Sequence, residues 1–340
     1  MYTAIGRIAL GTTATVATIV ALLQPRAFHS PTPASLAAEA DSTVPSWLFA
    51  IAPAGAAPVF DSVRLRHLQR VRTAFTDAQL HNLYFAPDWN PAAHPAMPGI
   101  VSHGRKPVVF ACAFCHMPDG TGRPENVPLA GLPAAYIVQQ VADMKSHART
   151  SAWKGALWVP YDNMLKVAAA ATDDEVSVAA QYFARLAPRQ RTRIVEARTI
   201  PRVRPGTGLW HVQAGSGTEP LGRRLIEVPV DNERHDLRDP FLGYVAYVPT
   251  GSVARGRAIS TSPMNAAKQV CGSCHGPALR GLGVIPPIAG RSPGYLVRQL
   301  LAFKTGARAT TASAPMQVVA SALSLDDMIA VAAYAATLKP

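Results

Sequence analysis

Two thiols one helical turn apart, with an imidazole directly after them, occur twice in this chain: Cys112-Ala113-Phe114-Cys115-His116 and Cys271-Gly272-Ser273-Cys274-His275. No other feature constrains the fold as strongly. Such a turn suits covalent attachment of a c-type haem through two thioethers, with the histidine reaching the iron from one side. Zinc clusters and thioredoxin-like dithiols also use Cys-x-x-Cys. Neither requires a histidine after the second cysteine. Zinc ribbons keep their pairs roughly 15–20 residues apart, whereas Cys271 follows Cys115 by 156 positions. These are the only four cysteines, so no thiol is left for a disulfide.

The two motifs are offset by 159 positions, and the same offset carries Pro128 to Pro287, Gly131 to Gly290, Tyr136 to Tyr295, Gln140 to Gln299, Lys145 to Lys304 and Arg149 to Arg308. Repetition in register over this length marks a duplicated unit. Beyond Arg149 the offset becomes 152, relating Met164 to Met316, Asp174 to Asp326 and Tyr182 to Tyr334. Thr172 and Ser324 then stand as N-caps of matching alanine-rich helices. The first copy therefore carries seven extra residues before its methionine, in a stretch that includes Trp153 and Trp158.

With His116 and His275 each on one side of an iron, a sixth ligand is needed for a saturated centre. A thioether favours Fe(II) and raises the potential. Met164 and Met316 occupy matched positions and are expected in loops just ahead of the final helix of each copy, where the chain folds back over a haem. Met144 and Met328 lie within helical runs and read as packing. Met117 is adjacent to its histidine, and Met97 and Met264 have no counterpart in the other copy. His103 and His147 are rival ligands, but their repeat positions hold Ser262 and Gly306. The Pro128 and Pro287 segments are placed to offer each ligating imidazole a carbonyl. Arg149, Arg308, Lys145 and Lys304 read equally as propionate partners and as solvated helix ends.

Residues 1–40 read as a signal peptide or an N-terminal membrane anchor: Arg7 precedes an uncharged, mostly apolar run over residues 8–23. Residues 41–61 form a lead-in segment, in which Trp47-Leu48-Phe49 is expected to pack locally. Residues 189–250 form a connector with short strands expected at 193–196, 225–228 and 241–248, and a turn at Glu219-Pro220-Leu221-Gly222. The net charge of +12 suits an acidic partner or an anionic lipid surface. No dense Lys/Arg cluster, stacking platform or base-reading motif accompanies it, so nucleic acid is not expected. No nucleophile–base set, paired carboxylates or phosphate-binding glycine loop points to catalysis.

The order Cys-x-x-Cys-His, Pro-x-x-Gly, tyrosine-led helix, methionine, terminal helix resembles a class I c-type cytochrome domain. The pair resembles the exported bacterial dihaem c-type cytochromes with two fused class I cytochrome c domains. The likeness covers residues 62–188 and 251–340. It implies a mainly α chain of two tandem cytochrome c domains, joined here by a small β-containing connector, with the first and last helices of each domain crossing beside the haem. It also implies two covalently bound haems c, on Cys112 and Cys115 and on Cys271 and Cys274, with His116, Met164, His275 and Met316 as axial ligands. Electron transfer, not catalysis, would be the task. The partners would be redox proteins: a membrane complex, a dehydrogenase or a terminal acceptor. The location would be periplasmic, either soluble after cleavage or anchored to the inner membrane by residues 8–23. A dihaem peroxidase and a dedicated cytochrome subunit of a periplasmic dehydrogenase are the alternatives. Two features depart from the pattern: the proline-rich segment 85–106 ahead of the first motif, and the connector.

Overall fold

The second copy is folded around a crossing of its first and last helices. The computed structural model describes residues 44–53, 55, 59–263 and 270–340, so the expected export segment lies outside the described residues. Helix Ser252–Thr261 lies across the terminal helix Leu325–Thr337, and Gly256 sits at the crossing: a Cβ there would stand 1.9 Å from the Ala330 carbonyl oxygen. The terminal helix starts at Ser324, whose hydroxyl accepts from Asp327 N (3.1 Å) while the Asp327 carboxylate takes the Ser324 hydroxyl and N–H, a reciprocal cap. Its alanines 330, 332, 333, 335 and 336 are all buried, and their small side chains let neighbouring helices approach closely. Helix Pro293–Lys304 completes the core through Val297 and Leu301, against Met328 and Ile329.

The first copy keeps the later helices, Ala134–Lys145 and Asp173–Ala184, but not the long first one. Ahead of the first motif the chain forms only a single turn, Asp77–Leu80, capped by Thr76 and Gln79. A second turn, Gly99–Ser102, packs on Asp173–Ala184 in the place that Ser252–Thr261 fills in the other copy. Pro87, Pro91, Pro95 and Pro98 explain this, since each removes a backbone donor and breaks a helix interior. Pro98 stands as the N-cap of the surviving turn, which buries Val101 beside Ala180 and Phe183. Trp89 in the same segment donates from Nε1 to the Leu237 carbonyl (2.7 Å), tying segment 85–106 to the connector.

In the connector, Thr192–Glu196 pairs in parallel with Tyr244–Val248, which pairs antiparallel with Ile226–Pro229. Two further antiparallel pairs, Thr199–Pro201 with Thr218–Pro220 and Val203–Pro205 with Trp210–Val212, extend it. The expected turn at 219–222 is half strand: Glu219 and Pro220 pair with Ile200 and Thr199, and Leu221 is fully buried. The sheet is joined to the second copy by Glu227. Its carboxyl accepts from Thr192 Oγ1 (2.8 Å), Ser292 Oγ (2.6 Å) and Gly294 N (3.4 Å), the last two at the start of helix Pro293–Lys304. Burial raises the pKa of this carboxyl against the pull of those bonds.

The two copies meet across a seam with near two-fold exchange. Arg149 donates to Gln140 Oε1 (2.9 Å) and Gln299 Oε1 (3.0 Å); Arg308 donates to Gln299 Oε1 (3.0 Å) and Gln140 Oε1 (2.6 Å). Backbone bonds from Thr150 N to Ala307 O (2.6 Å) and Ala309 N to Ala148 O (3.2 Å) flank them. Both arginines are buried here, which corrects the reading of them as solvated helix ends. Lys145 and Lys304 also have matched tasks. Their ammonium groups donate to the carbonyls of Ala171 (3.3 Å) and Leu323 (2.6 Å), just past the ends of helices Val159–Ala170 and Ala314–Ser321.

The helix crossing gives a direct test. Gly256→Val places carbons inside the Ala330 carbonyl and should lower stability by about 3 kcal/mol, the upper range for overpacking. Gly99→Ala, where a Cβ meets nothing within 4 Å, should leave it unchanged within about 0.5 kcal/mol. Thermal melts of the two variants compare them.

Candidate functional site

Each cysteine–cysteine–histidine motif forms one helical turn, Cys112–His116 and Cys271–His275. Each turn is ended by a residue in the left-handed region, Met117 (φ 67°) and Gly276 (φ 75°), at matched positions. The chain then loops back. Gly122 N donates to the His116 carbonyl (2.9 Å) and Gly281 N to that of His275 (2.6 Å). The loops bring the Val127 carbonyl to His116 Nδ1 and the Pro286 carbonyl to His275 Nδ1, both at 2.9 Å. The carbonyl is thus supplied by the residue before each expected proline. Nδ1 is engaged, so Nε2 is the nitrogen left free for a metal. The glycines of Pro-x-x-Gly close the loop: a Cβ on Gly131 would stand 3.0 Å from Pro188, and on Gly290 2.8 Å from Pro340, and both glycines have positive φ.

In the first copy, Cys112, Cys115, His116 and Met164 line one cavity of about 1300 Å³, counting the space at its open mouth. Its walls are largely apolar, including Ile137, Val141 and Phe183. Burial pushes the Cys112 thiol up to about 12 and the His116 imidazole down, so both are neutral at ordinary pH. Met164 is not in a loop: it stands inside helix Val159–Ala170, as Met316 stands inside Ala314–Ser321. Pro160 and Pro315 explain the difference, because proline in the first turn starts a helix. Met144 also lines the cavity, but its repeat position is Phe303, which has no donor atom. His103 and His147 are exposed and do not line it. In the second copy His275 is buried, and Cys271 and Met316 pack against the same hydrophobic cluster. Cys274 is partly exposed. Cys112 and Cys115 pack against a different cluster.

Several functional neighbours come from far along the chain and carry no sequence signal. Arg191 donates to Thr121 Oγ1 (2.9 Å) and the Gly122 carbonyl (2.8 Å), bracing the loop after His116. Arg238 donates to the Leu80 (2.8 Å) and Phe114 (2.6 Å) carbonyls and lies 3.5 Å over the Phe114 ring. Burial, then Arg123, brings its pKa down to about 9. Glu125, on the cavity wall, pairs with Arg123 (2.8 Å) and faces His235 (3.7 Å). Trp47-Leu48-Phe49 also does more than pack locally. Phe49 lines the cavity, stacks on Trp153 (5.2 Å, 23°) and meets Trp158 edge-on (5.2 Å, 89°).

Two thiols, an imidazole with its second nitrogen engaged, and a thioether around an apolar cavity are the donor set of a covalently held haem. Comparison with known proteins agrees. No family model matches the chain. It is 30% identical over 238 residues to the thiosulfate dehydrogenase electron acceptor of Stutzerimonas stutzeri, covering 69% of this chain and 82% of that protein. It is 39% identical over 77 residues to cytochrome c-554(547) of Halothiobacillus neapolitanus, 20% of this chain and 85% of that protein. Among solved structures, thiosulfate dehydrogenase TsdBA of Marichromatium purpuratum aligns with a TM-score of 0.47 at 26% identity, over 69% of this chain and 38% of that one.

The connector histidines beside the cavity yield a pH prediction. His235 and His211 meet edge to face at 5.3 Å. Burial depresses both pKa values, helped by Arg123 at His235 and by Arg204 at His211, with Asp236 opposing at His211. Both are neutral when folded, whereas an unfolded histidine takes a proton near ~6.5. The unfolded chain therefore binds more protons in acid, and stability should fall as pH is lowered through about 6.5. The melting temperature of His235→Gln should fall less steeply between pH 7 and 5 than that of the parent; equal slopes would count against these histidines.

Proposed function

The chain belongs to the dihaem c-type cytochromes of two tandem cytochrome c domains and carries two covalently bound haems c, and we propose that it accepts single electrons from an exported, thiosulfate-oxidising dehydrogenase and passes them to a terminal acceptor. Residues 62–188 and 251–340 are the haem domains in this reading, joined by the 189–250 connector. Cys112 with Cys115, and Cys271 with Cys274, form the thioethers. His116 with Met164, and His275 with Met316, are the axial ligands. Bound haem supplies a one-electron Fe(III)/Fe(II) couple.

The protein's part is to fix the ligands and the surroundings. The observation that carries the reading is the shared wall of Cys112, Cys115, His116 and Met164, together with the repeat of the imidazole bond at 2.9 Å in both copies. The Val127 and Pro286 carbonyls orient the imidazoles and make them stronger donors. Lys145 and Lys304 hold the ends of the methionine-bearing helices. A methionine on each iron leaves no coordination position open, which suits a carrier and opposes a peroxidase. The named relative from Stutzerimonas supports a dehydrogenase as donor, and the charge of +12 suits docking to an acidic face. The N-terminal run at residues 8–23 supports export. Among the described residues no single helix is long and apolar enough to cross a membrane.

Rapid mixing tests the assignment. Oxidised protein mixed with a thiosulfate dehydrogenase and thiosulfate should be reduced at both haems, and thiosulfate alone should leave it oxidised. Turnover of thiosulfate by the isolated chain, or no reduction by the complete mixture, would contradict the reading.

A further inference from the structure

Two buried imidazoles of the connector stand side by side without the partners that buried nitrogens need. His211 is on strand Trp210–Val212, and His235 is on the helical turn Asn232–Asp236. A nitrogen of each ring and a carboxylate oxygen of Asp236 all lie within 4.8 Å of one another. Among the described residues the His211 ring has no hydrogen-bond partner, and its Nε2 is enclosed. A buried polar atom left unpaired is costly unless a bound group takes it up. Gly206 keeps room beside that nitrogen: a Cβ there would stand 2.8 Å from it. His235 has only long contacts, Nδ1 at 3.3 Å from the Tyr244 hydroxyl and Nε2 at 3.4 Å from Arg123 Nη1. Asp236 is exposed and forms no ion pair among the described residues. Asn232 Nδ2 donates to the Val212 carbonyl (2.9 Å), so the strand and the turn that carry these groups are already fastened together.

We propose that His211, His235 and Asp236 bind one divalent transition-metal ion of the zinc class, and that the ion fastens the connector to the loop of the first copy that follows His116. Two imidazoles and a carboxylate are donors that zinc accepts, whereas calcium and magnesium take shells of oxygen. Three protein ligands leave a further position for solvent at the exposed edge, where Asp236 stands. Glu125 gives the site its link to the first copy. It lies on the loop between His116 and Val127, 3.7 Å from His235 Nε2, and both its oxygens are buried without a hydrogen bond. Its negative charge also offsets Arg123, 2.8 Å away, which would otherwise repel a cation. An ion on His235 would draw on that carboxylate and hold the loop that brings the Val127 carbonyl to His116. None of the cysteines, histidines or methionines assigned to haem takes part, so the site stands apart from the haem reading.

Calorimetric titration of the untagged, full-length holoprotein with zinc chloride, after treatment with a chelator, tests the site. The parent should bind one equivalent of zinc, and its melting temperature should rise with added zinc, because an ion that binds the folded chain stabilises it. His211→Gln should lose both the bound equivalent and the rise in melting temperature. Asp236→Asn should bind more weakly, and its exposed position leaves the fold intact. His67→Gln, a change at an exposed histidine outside the group, should bind as the parent does. The haem absorbance of each variant reports whether it has folded; should His211→Gln fail to fold, Asp236→Asn decides. The proposal is overturned if the parent binds no zinc, if His211→Gln or Asp236→Asn binds it as tightly as the parent, or if His67→Gln loses it equally. No dehydrogenase or thiosulfate enters the experiment, so its failure would leave the electron-transfer reading standing.

Discussion

An imidazole presents its free nitrogen to a metal in one orientation when its second nitrogen is tied down, and both halves of this chain build the same loop that ties it. The bonds from His116 Nδ1 to Val127 and from His275 Nδ1 to Pro286 have the same length, 2.9 Å. Around them the loop is held in register by left-handed turns at Met117 and Gly276 and by the bonds of Gly122 and Gly281 to the histidine carbonyls. The glycines at 131 and 290 let the loop rest on Pro188 and Pro340, past the terminal helices. The rest of each copy follows from this loop: in the first copy the helix after it lines the cavity, and in both copies the lysine ending that helix fastens the methionine-bearing helix.

Two such units become one molecule through the seam. Each arginine of the pair 149 and 308 bonds a glutamine of its own copy and one of the other. A buried guanidinium with planar donors and neutral oxygen acceptors fixes geometry without placing opposite charges inside the core. The near symmetry of the seam makes its exceptions informative. Arg298 reaches from the second copy to the first cavity, and Arg291 reaches back to the Pro128 and Ala130 carbonyls. Neither has a counterpart, since positions 139 and 132 hold Gln and Leu. The connector adds Arg191 and Arg238 to the first motif only. The two centres share a scaffold but not an environment.

Local pattern made much of this legible. The motifs, the offset of 159 and the shift to 152 predict paired domains, and the loop hydrogen bonds repeat at those offsets. Thr172 and Ser324 cap the helices they were expected to cap. The connector strands at 193–196 and 225–228 fall within one residue of Thr192–Glu196 and Ile226–Pro229. The misses have a common cause. Met164 and Met316 are expected in loops, but Pro160 and Pro315 start helices there, so the methionines stand in helices. Four prolines remove the long first helix from one copy, and a lone turn carrying Val101 takes its place. Arg191, Arg238 and Arg298 meet partners 69, 124 and 174 positions away, and no periodicity within a segment records such contacts. Trp47-Leu48-Phe49 looks like any apolar trio until Trp153 and Trp158, more than 100 residues later, are folded against it.

The central claim is that one chain holds two saturated haems as a two-centre electron path. The most direct measurement is a redox titration of the whole holoprotein with haem counted against protein and the oxidised state read by EPR. The account predicts two haems per chain, two one-electron steps and low-spin signals from both centres. One haem per chain, or a high-spin centre that binds peroxide, would contradict it.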